Sequence, residues 1–194
     1  MSNKRRIALF GGSFNPIHIG HLILAEYARV IMNFDEVWLM LSPLNPLKVN
    51  NKDLQPDDIR LKMIRLAIDG LDKIKECDIE LTMPRPNYTV NTLYQLIELY
   101  PDTEFSLLIG ADNFADFDKW KDPDEICRLA NVVVYPREGF PMPDGSNDCI
   151  KPLDAPIIQI SSTEIRKATA EQRLVAPMLP PKVYDFIISN NLYR

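Results

Sequence analysis

Ile7-Ala8-Leu9-Phe10-Gly11-Gly12-Ser13-Phe14-Asn15-Pro16-Ile17-His18-Ile19-Gly20-His21 reads as a strand, a glycine-led loop and the start of a helix. Four apolar residues running into two glycines predict a buried strand that enters a loop. Gly11 and Gly12, directly after the strand, let the backbone approach a ligand with no Cβ in the way. Ser13 and Phe14 carry the loop on. His18 and His21 lie three residues apart at the helix entry, so both rings can face the same side. Gly20 between them removes bulk where a phosphate would meet the helix N-terminus and its dipole. They are the only histidines in the chain. Their coincidence at one helix start favours function over an incidental role in a cap or core.

Outward from this stretch the chain alternates strand-type and helix-type segments. A helix is expected from His21 to about Asn33, largely buried, with Glu26, Arg29 and Asn33 as a thin polar stripe. Val37 to Leu41 predicts a second strand, and a proline-rich loop holding Pro43, Pro46 and Lys48 follows. Pro56 opens the next helix with Asp57 and Asp58 in its first turn. Ile59, Met63, Leu66 and Ala67 supply its apolar stripe, and Gly70 stops it. Further strands are expected at Ile74 to Leu81, Phe105 to Ile109, Asn131 to Tyr135 and Ile157 to Ile160. Helices are expected at Thr89 to Tyr100, Ser161 to Ala168 and Pro180 to Asn191, with a broken one from Asp112 to Leu129. Residues 137–156 show no periodicity and several prolines, which suits a functional or mobile loop. This alternation predicts an α/β fold, a parallel sheet with helices on both faces. Ligands of such folds bind at the carboxyl ends of the strands.

The bulk properties narrow the function. A chain of 194 residues suits one domain, here taken as residues 1–194. A formal net charge of −5 argues against nucleic acid as a partner, because a sequence-blind binder needs a basic stripe. Phosphate chemistry must then occupy a local site. Cys77, Cys127 and Cys149 are odd in number and far apart, so free thiols in a reducing compartment are expected. The apolar run after Lys4, Arg5 and Arg6 is too short for a signal peptide, and no run reaches membrane-spanning length. The expected location is the cytoplasm. Paired histidines can also bind zinc, but no third ligand accompanies these at a familiar spacing.

A second motif, Ile160-Ser161-Ser162-Thr163-Glu164-Ile165-Arg166, closes the pattern. Ser161 and Glu164 form a Ser-x-x-Glu capping box, which alone would explain those two. It does not explain three consecutive hydroxyls with Arg166 one turn on. A second helix N-terminus offering N–H, hydroxyl and guanidinium donors to phosphate oxygens does.

The two motifs together resemble the nucleotidylyltransferase superfamily, with His-x-Gly-His after a Gly-Gly-Ser-Phe-Asn-Pro loop early and Ser-Ser/Thr-x-x-Arg late. Three intermediate segments are similar to bacterial nicotinate-nucleotide adenylyltransferases: Asn87-Tyr88-Thr89-Val90-Asn91-Thr92-Leu93, Leu108-Ile109-Gly110-Ala111-Asp112 with Trp120-Lys121 downstream, and Tyr135-Pro136-Arg137-Glu138-Gly139. The likeness covers essentially the whole chain in order. Asn91 stands where the family pattern has an aspartate, and no histidine precedes Lys48.

The resemblance implies a Rossmann-like nucleotidylyltransferase fold and transfer of the adenylyl group of ATP to nicotinate mononucleotide, giving deamido-NAD and pyrophosphate. It implies that His18 and His21 act on the transferring phosphate. Gly11, Gly12, Ser13, Phe14, Gly20, Gly110, Asp112, Arg137 and Ile160 to Thr163 with Arg166 would serve ATP. Lys48, Tyr88, Thr89 and Trp120 would serve the mononucleotide, with the Trp120 ring stacked on the pyridine. Direct displacement is expected, with Mg²⁺ carried by the triphosphate rather than held in a protein cage. Phosphates nearby should favour protonated imidazoles. The alternatives are a sibling enzyme acting on nicotinamide mononucleotide, phosphopantetheine or a flavin, and a nucleotide sensor without turnover. A homo-oligomer is possible on this reading.

Overall fold

The alternation of strands and helices is borne out in the computed structural model, which describes residues 4–43, 54–173 and 175–194. In chain order the elements are β1 (Arg5–Gly12), α1 (Ile19–Ile31), β2 (Glu36–Leu41), α2 (Asp57–Ile68), β3 (Ile74–Cys77), α3 (Thr89–Leu99) and β4 (Thr103–Gly110). The short α4 (Ala111–Phe114), α5 (Pro123–Leu129), β5 (Asn131–Tyr135), β6 (Ile150–Pro152), α6 (Ser162–Ala170) and α7 (Pro181–Ser189) complete them. All strand pairs are parallel, in the order β3-β2-β1-β4-β5-β6. The chain winds outward from β1 in one direction and then, through β4, in the other. The crevice at the carboxyl ends of β1 and β4 is therefore the switch point where such sheets take ligands.

Strand side chains alternate between two apolar layers because successive residues point to opposite faces. Ala8, Phe10, Leu39 and Leu108 pack with α1, α2, α6 and α7 through Ala25, Met63, Ile165 and Val183. Ile7, Leu9, Met40 and Leu107 pack with α3 and α5 through Leu93 and Ile126. Both faces are covered, which is why these strands read as continuous apolar runs. Among the described residues no helix is long and apolar enough to cross a membrane.

Several expectations are corrected. Gly11 and Gly12 are the last residues of β1, paired with Met40 and Leu41 of β2, rather than a loop after it. The expected strand to Leu81 stops at Cys77, and Ile79–Leu81 forms a 3₁₀ turn. The sixth strand is Ile150–Pro152, inside the stretch that lacked periodicity, and Ile157 to Ile160 pairs with nothing in the sheet. A three-residue edge strand carries too little pattern to be seen in sequence. Helix α1 buries Leu24, Ala25 and Ala28 but leaves Ile23, Val30 and Ile31 about half exposed, since a helix layered on a sheet has one face to bury. Cys127 and Cys149 form a disulfide, Cα to Cα 5.4 Å, where free thiols were expected. The parallel register that sets Val132 opposite Ile150 brings Cys149 beside the end of α5, a proximity no spacing announces. Cys77 is free and buried, and burial pushes its thiol up to about 11.

Candidate active site

The first loop is tightly built. After β1 the backbone turns at Phe14, a buried residue held at φ 45°, and Asn15-Pro16 is a cis peptide. A bulky residue in the left-handed region is strained and persists only where its surroundings hold it. Here the Phe14 ring sits edge-on to Phe10 and to His21. His18 is the N-cap residue of α1 in extended conformation. Its backbone N–H donates to Nδ1 of His21 at 3.2 Å. A neutral imidazole that accepts at Nδ1 carries its proton on Nε2, so His21 presents Nε2–H as a donor. The two rings face the same side, as their three-residue spacing allowed, and stack with centroids 3.7 Å apart.

His18, Gly20, His21, Tyr135, Arg137, Ile158 and Ile160 line one cavity at the switch point. Gly20 leaves room here, since a Cβ there would lie a tight 3.0 Å from both His18 Nδ1 and Ile158 Cγ2, and those side chains would have to shift. Burial first and the Arg137 guanidinium second push His18 down to about 4. Burial, then His18, then Arg137 hold His21 well below the usual imidazole range. In the protein itself both rings are therefore neutral donors. The expected protonated imidazoles would need an anion to offset that burial and the guanidinium.

Asp112 faces Arg137, Oδ1 to Nε 3.6 Å. Gly110 makes this possible, since a Cβ there would collide with the Asp112 carboxylate. Ser161 caps α6 by accepting from the Glu164 N–H at 3.2 Å, as the capping box predicted. The rest of that motif is partly committed elsewhere. Ser162 Oγ donates to the Pro16 carbonyl at 2.8 Å, and Arg166 Nη1 donates to the Asn15 carbonyl at 2.9 Å. The late motif thus braces the early one. Thr163 remains exposed, with its hydroxyl 3.4 Å from Arg166 Nη2.

Tyr88 is the N-cap of α3, and Thr89 is its first helical residue. Lys121 Nζ lies 4.9 Å above the Tyr88 ring, so the Trp120-Lys121 segment meets the start of α3. Trp120 is half-buried and tilts against Phe117 at 5.4 Å, so part of its ring belongs to the core despite its charged neighbours. Lys48 lies outside the described residues.

Sequence reading missed three groups that shape this site. Arg60, fully buried, donates to the carbonyls of Ser13 and Ser42. Glu80, also buried, accepts from the hydroxyls of Ser42 and Thr92 at 3.1 and 3.0 Å, and burial pushes its carboxyl up. Tyr193 donates to Asn15 Oδ1 at 2.8 Å. A charged residue inside a helix pattern reads as surface, so the only available signal was the place of Arg60 among the apolar residues of α2.

Buried side-chain polar atoms normally find a partner. Among the described residues five have no hydrogen bond, and four of them belong to His18, Asp112, Arg137 and Arg166. The fifth is Asn87 Oδ1, next to Tyr88. No cluster of three or more His, Cys, Asp or Glu among the described residues is placed to hold a metal ion.

Comparison with known proteins bears on this arrangement. The cytidylyltransferase-like family matches residues 9–168. A protein of Bacteroides thetaiotaomicron named "Probable nicotinate-nucleotide adenylyltransferase" is 44% identical, over 96% of this chain and 92% of its own. One of the same name from Flavobacterium johnsoniae is 42% identical, over 97% of this chain and 99% of its own. The nicotinic acid mononucleotide adenylyltransferase of Plasmodium falciparum, solved with NaAD, is alike in fold, with a TM-score of 0.79 at 22% identity over 97% of each chain.

Proposed function

Because this chain belongs to the cytidylyltransferase-like family, and within it to the nicotinate-nucleotide adenylyltransferases, we propose how its own residues carry out adenylyl transfer. The enzyme is a nucleotidyltransferase that joins the adenylyl group of ATP to nicotinate mononucleotide, a step of NAD biosynthesis. On our reading the reaction is one in-line displacement. A 5′-phosphate oxygen of the mononucleotide attacks the α-phosphorus, the bond to the β-phosphate oxygen breaks, and pyrophosphate leaves. Catalysis of this kind is positioning plus stabilisation of charge.

The observation that carries the reading is the set of buried polar atoms without a hydrogen bond on His18, Asp112, Arg137 and Arg166, of which Asp112 and Arg137 meet only as an ion pair at 3.6 Å. Two of them, His18 and Arg137, line the switch-point cavity, and buried groups whose hydrogen-bonding capacity the fold leaves unused are available to a ligand. His21 Nε2–H and His18 would donate to the α-phosphate, and Arg137 and Arg166 Nε would face the leaving phosphates. Asp112 would accept from the adenosine ribose. The ATP would enter as its Mg²⁺ complex, the metal lowering the charge on the phosphates. Tyr88 and Thr89 at the start of α3 would meet the nicotinate carboxylate with N–H donors, and Trp120 would stack on the pyridine. Residues 1–194 would act as one catalytic domain in the cytoplasm.

The test is pyrophosphate release with ATP and a panel of acceptors: nicotinate and nicotinamide mononucleotides, phosphopantetheine and FMN. N–H donors that meet a carboxylate reject an amide whose NH₂ faces them. Nicotinate mononucleotide should be preferred in kcat/KM by at least about tenfold. Equal values for acid and amide would overturn the role given to Tyr88 and Thr89, and no release with either would overturn the reaction.

A further inference from the structure

Arg60, on the first turn of α2, is the largest of the fully buried side chains among the described residues. A guanidinium has five N–H donors, and all five are committed. Nε donates to the Gln55 carbonyl at 2.9 Å. Nη1 donates to the carbonyls of Ser13 at 2.6 Å and Ser42 at 2.9 Å. Nη2 donates to the Pro43 carbonyl at 3.2 Å and to Asp57 Oδ1. No donor is left for a ligand. The other Asp57 oxygen accepts from Arg85 at 2.6 Å, which extends the network to the Pro84-Arg85-Pro86 loop before α3.

What these bonds hold is the backbone at the ends of β1 and β2. With the Ser13 carbonyl turned onto Arg60, the N–H of the same trans peptide, that of Phe14, points the opposite way. Phe14, next in the chain, is the residue held at φ 45°. Ser42 is gripped at every polar group: its N–H donates to the Gly12 carbonyl, its hydroxyl to Glu80, and its carbonyl accepts from Arg60. A buried ion is a weak device for stability alone, since an apolar side chain of the same volume often serves as well. Bridging two ligand loops at a set separation is something only the fork can do.

We infer that Arg60 is a positioning residue for adenylyl transfer, joining the loop after β1 to the loop after β2 so that the attacking phosphate meets the α-phosphorus in line. The inference rests on the reading above that the first loop serves ATP; Ser42 and Pro43 of the second lead toward Lys48, which the family resemblance gives to the mononucleotide and which lies outside the described residues. Arg60→Lys keeps the charge but has three donors in place of a fork, so it cannot hold both loops. At saturating substrates kcat should fall by about 10²-fold, the scale of a misplacement near 1 Å. Calorimetric affinities for a non-hydrolysable ATP analogue and for nicotinate mononucleotide, each measured alone, should change by less than about threefold at full stoichiometry. Asp57→Asn loosens the fork without removing it and should cost about tenfold or less in kcat, with the same binding pattern. Wild-type kcat in Arg60→Lys would overturn the inference, and so would a loss that merely tracks lost binding stoichiometry. If Arg60→Lys does not fold, Asp57→Asn is judged by the same two criteria. His21→Ala in the same assay separates the failures. Wild-type turnover there would overturn the loop assignment, whereas a slow His21→Ala beside a fast Arg60→Lys would overturn only the positioning role.

Discussion

The two helix starts that point at the crevice, α1 and α6, use opposite strategies. Helix α6 opens with a conventional cap, Ser161 accepting from the Glu164 N–H, and then spends Ser162 and one arm of Arg166 on the carbonyls of Pro16 and Asn15. Helix α1 opens with an imidazole pair in which the His18 N–H donates to His21 Nδ1. His18 Nδ1 is buried there without a hydrogen bond. Of the two motifs read as ligand-binding, the one at α6 is thus half committed to the fold itself. A helix N-terminus by itself does not distinguish the two; the destination of each donor does.

The sharpest way to break the comparison is at α1. His21→Ala and His18→Ala should each lower kcat by about 10²–10³, the usual loss for one preorganised donor. Their thermal unfolding should stay close to wild type. Turnover near wild type in either variant would reduce α1 to another capped helix.

Acidity probes the same pair without ligand. The unfolded His18 ring takes its proton near pH 6.5, whereas the folded ring is pushed down to about 4. Between these values the unfolded state holds more protons, so stability falls as pH drops through the window, by up to about 1.4 kcal/mol per pH unit for one ring. The unfolding free energy of wild type minus that of His18→Asn, followed from pH 7 to 4 by denaturant melts, should fall steadily over that range. A constant difference would show that His18 is not held neutral.

At α6 two readouts should move together. Arg166→Ala leaves the buried Asn15 carbonyl without this donor, which costs about 1–3 kcal/mol of stability. It also removes Nε from the crevice, so kcat/KM for ATP should drop by about tenfold. Loss in stability alone would make α6 wholly a brace, and loss in kinetics alone would make it wholly a binding element. The smallest effect is expected at the cap: Ser161→Ala should cost about 1 kcal/mol in chemical denaturation and leave saturated turnover nearly unchanged.

The parts legible in sequence were those whose signal is local. Val37 to Leu41 and Asn131 to Tyr135 are apolar runs that cannot be much else, and both are strands within a residue of the expected limits. The histidine pair was legible because a three-residue spacing on a helix fixes which rings meet. The stripe of α2 was read only in part. Ile59 and Leu66 pack partly buried against the core as expected, but Arg60, Ile64 and Ile68 face it too and were not foreseen. A long cation reads as solvated until one knows that four carbonyls await it.

By itself, then, the sequence determined the parallel α/β architecture, the switch-point loop and the residues that gather there, because hydrophobic period, glycine and helix spacing act over a few residues. Only the tertiary structure decided how those residues divide the work. Ser162 reaches a carbonyl 146 residues away and Arg166 one 151 residues away. The edge strand at Ile150–Pro152 and the Cys127–Cys149 disulfide likewise depend on which strand pairs with which. Contacts over such separations are fixed by sheet register and loop closure, and no window along the chain contains both partners.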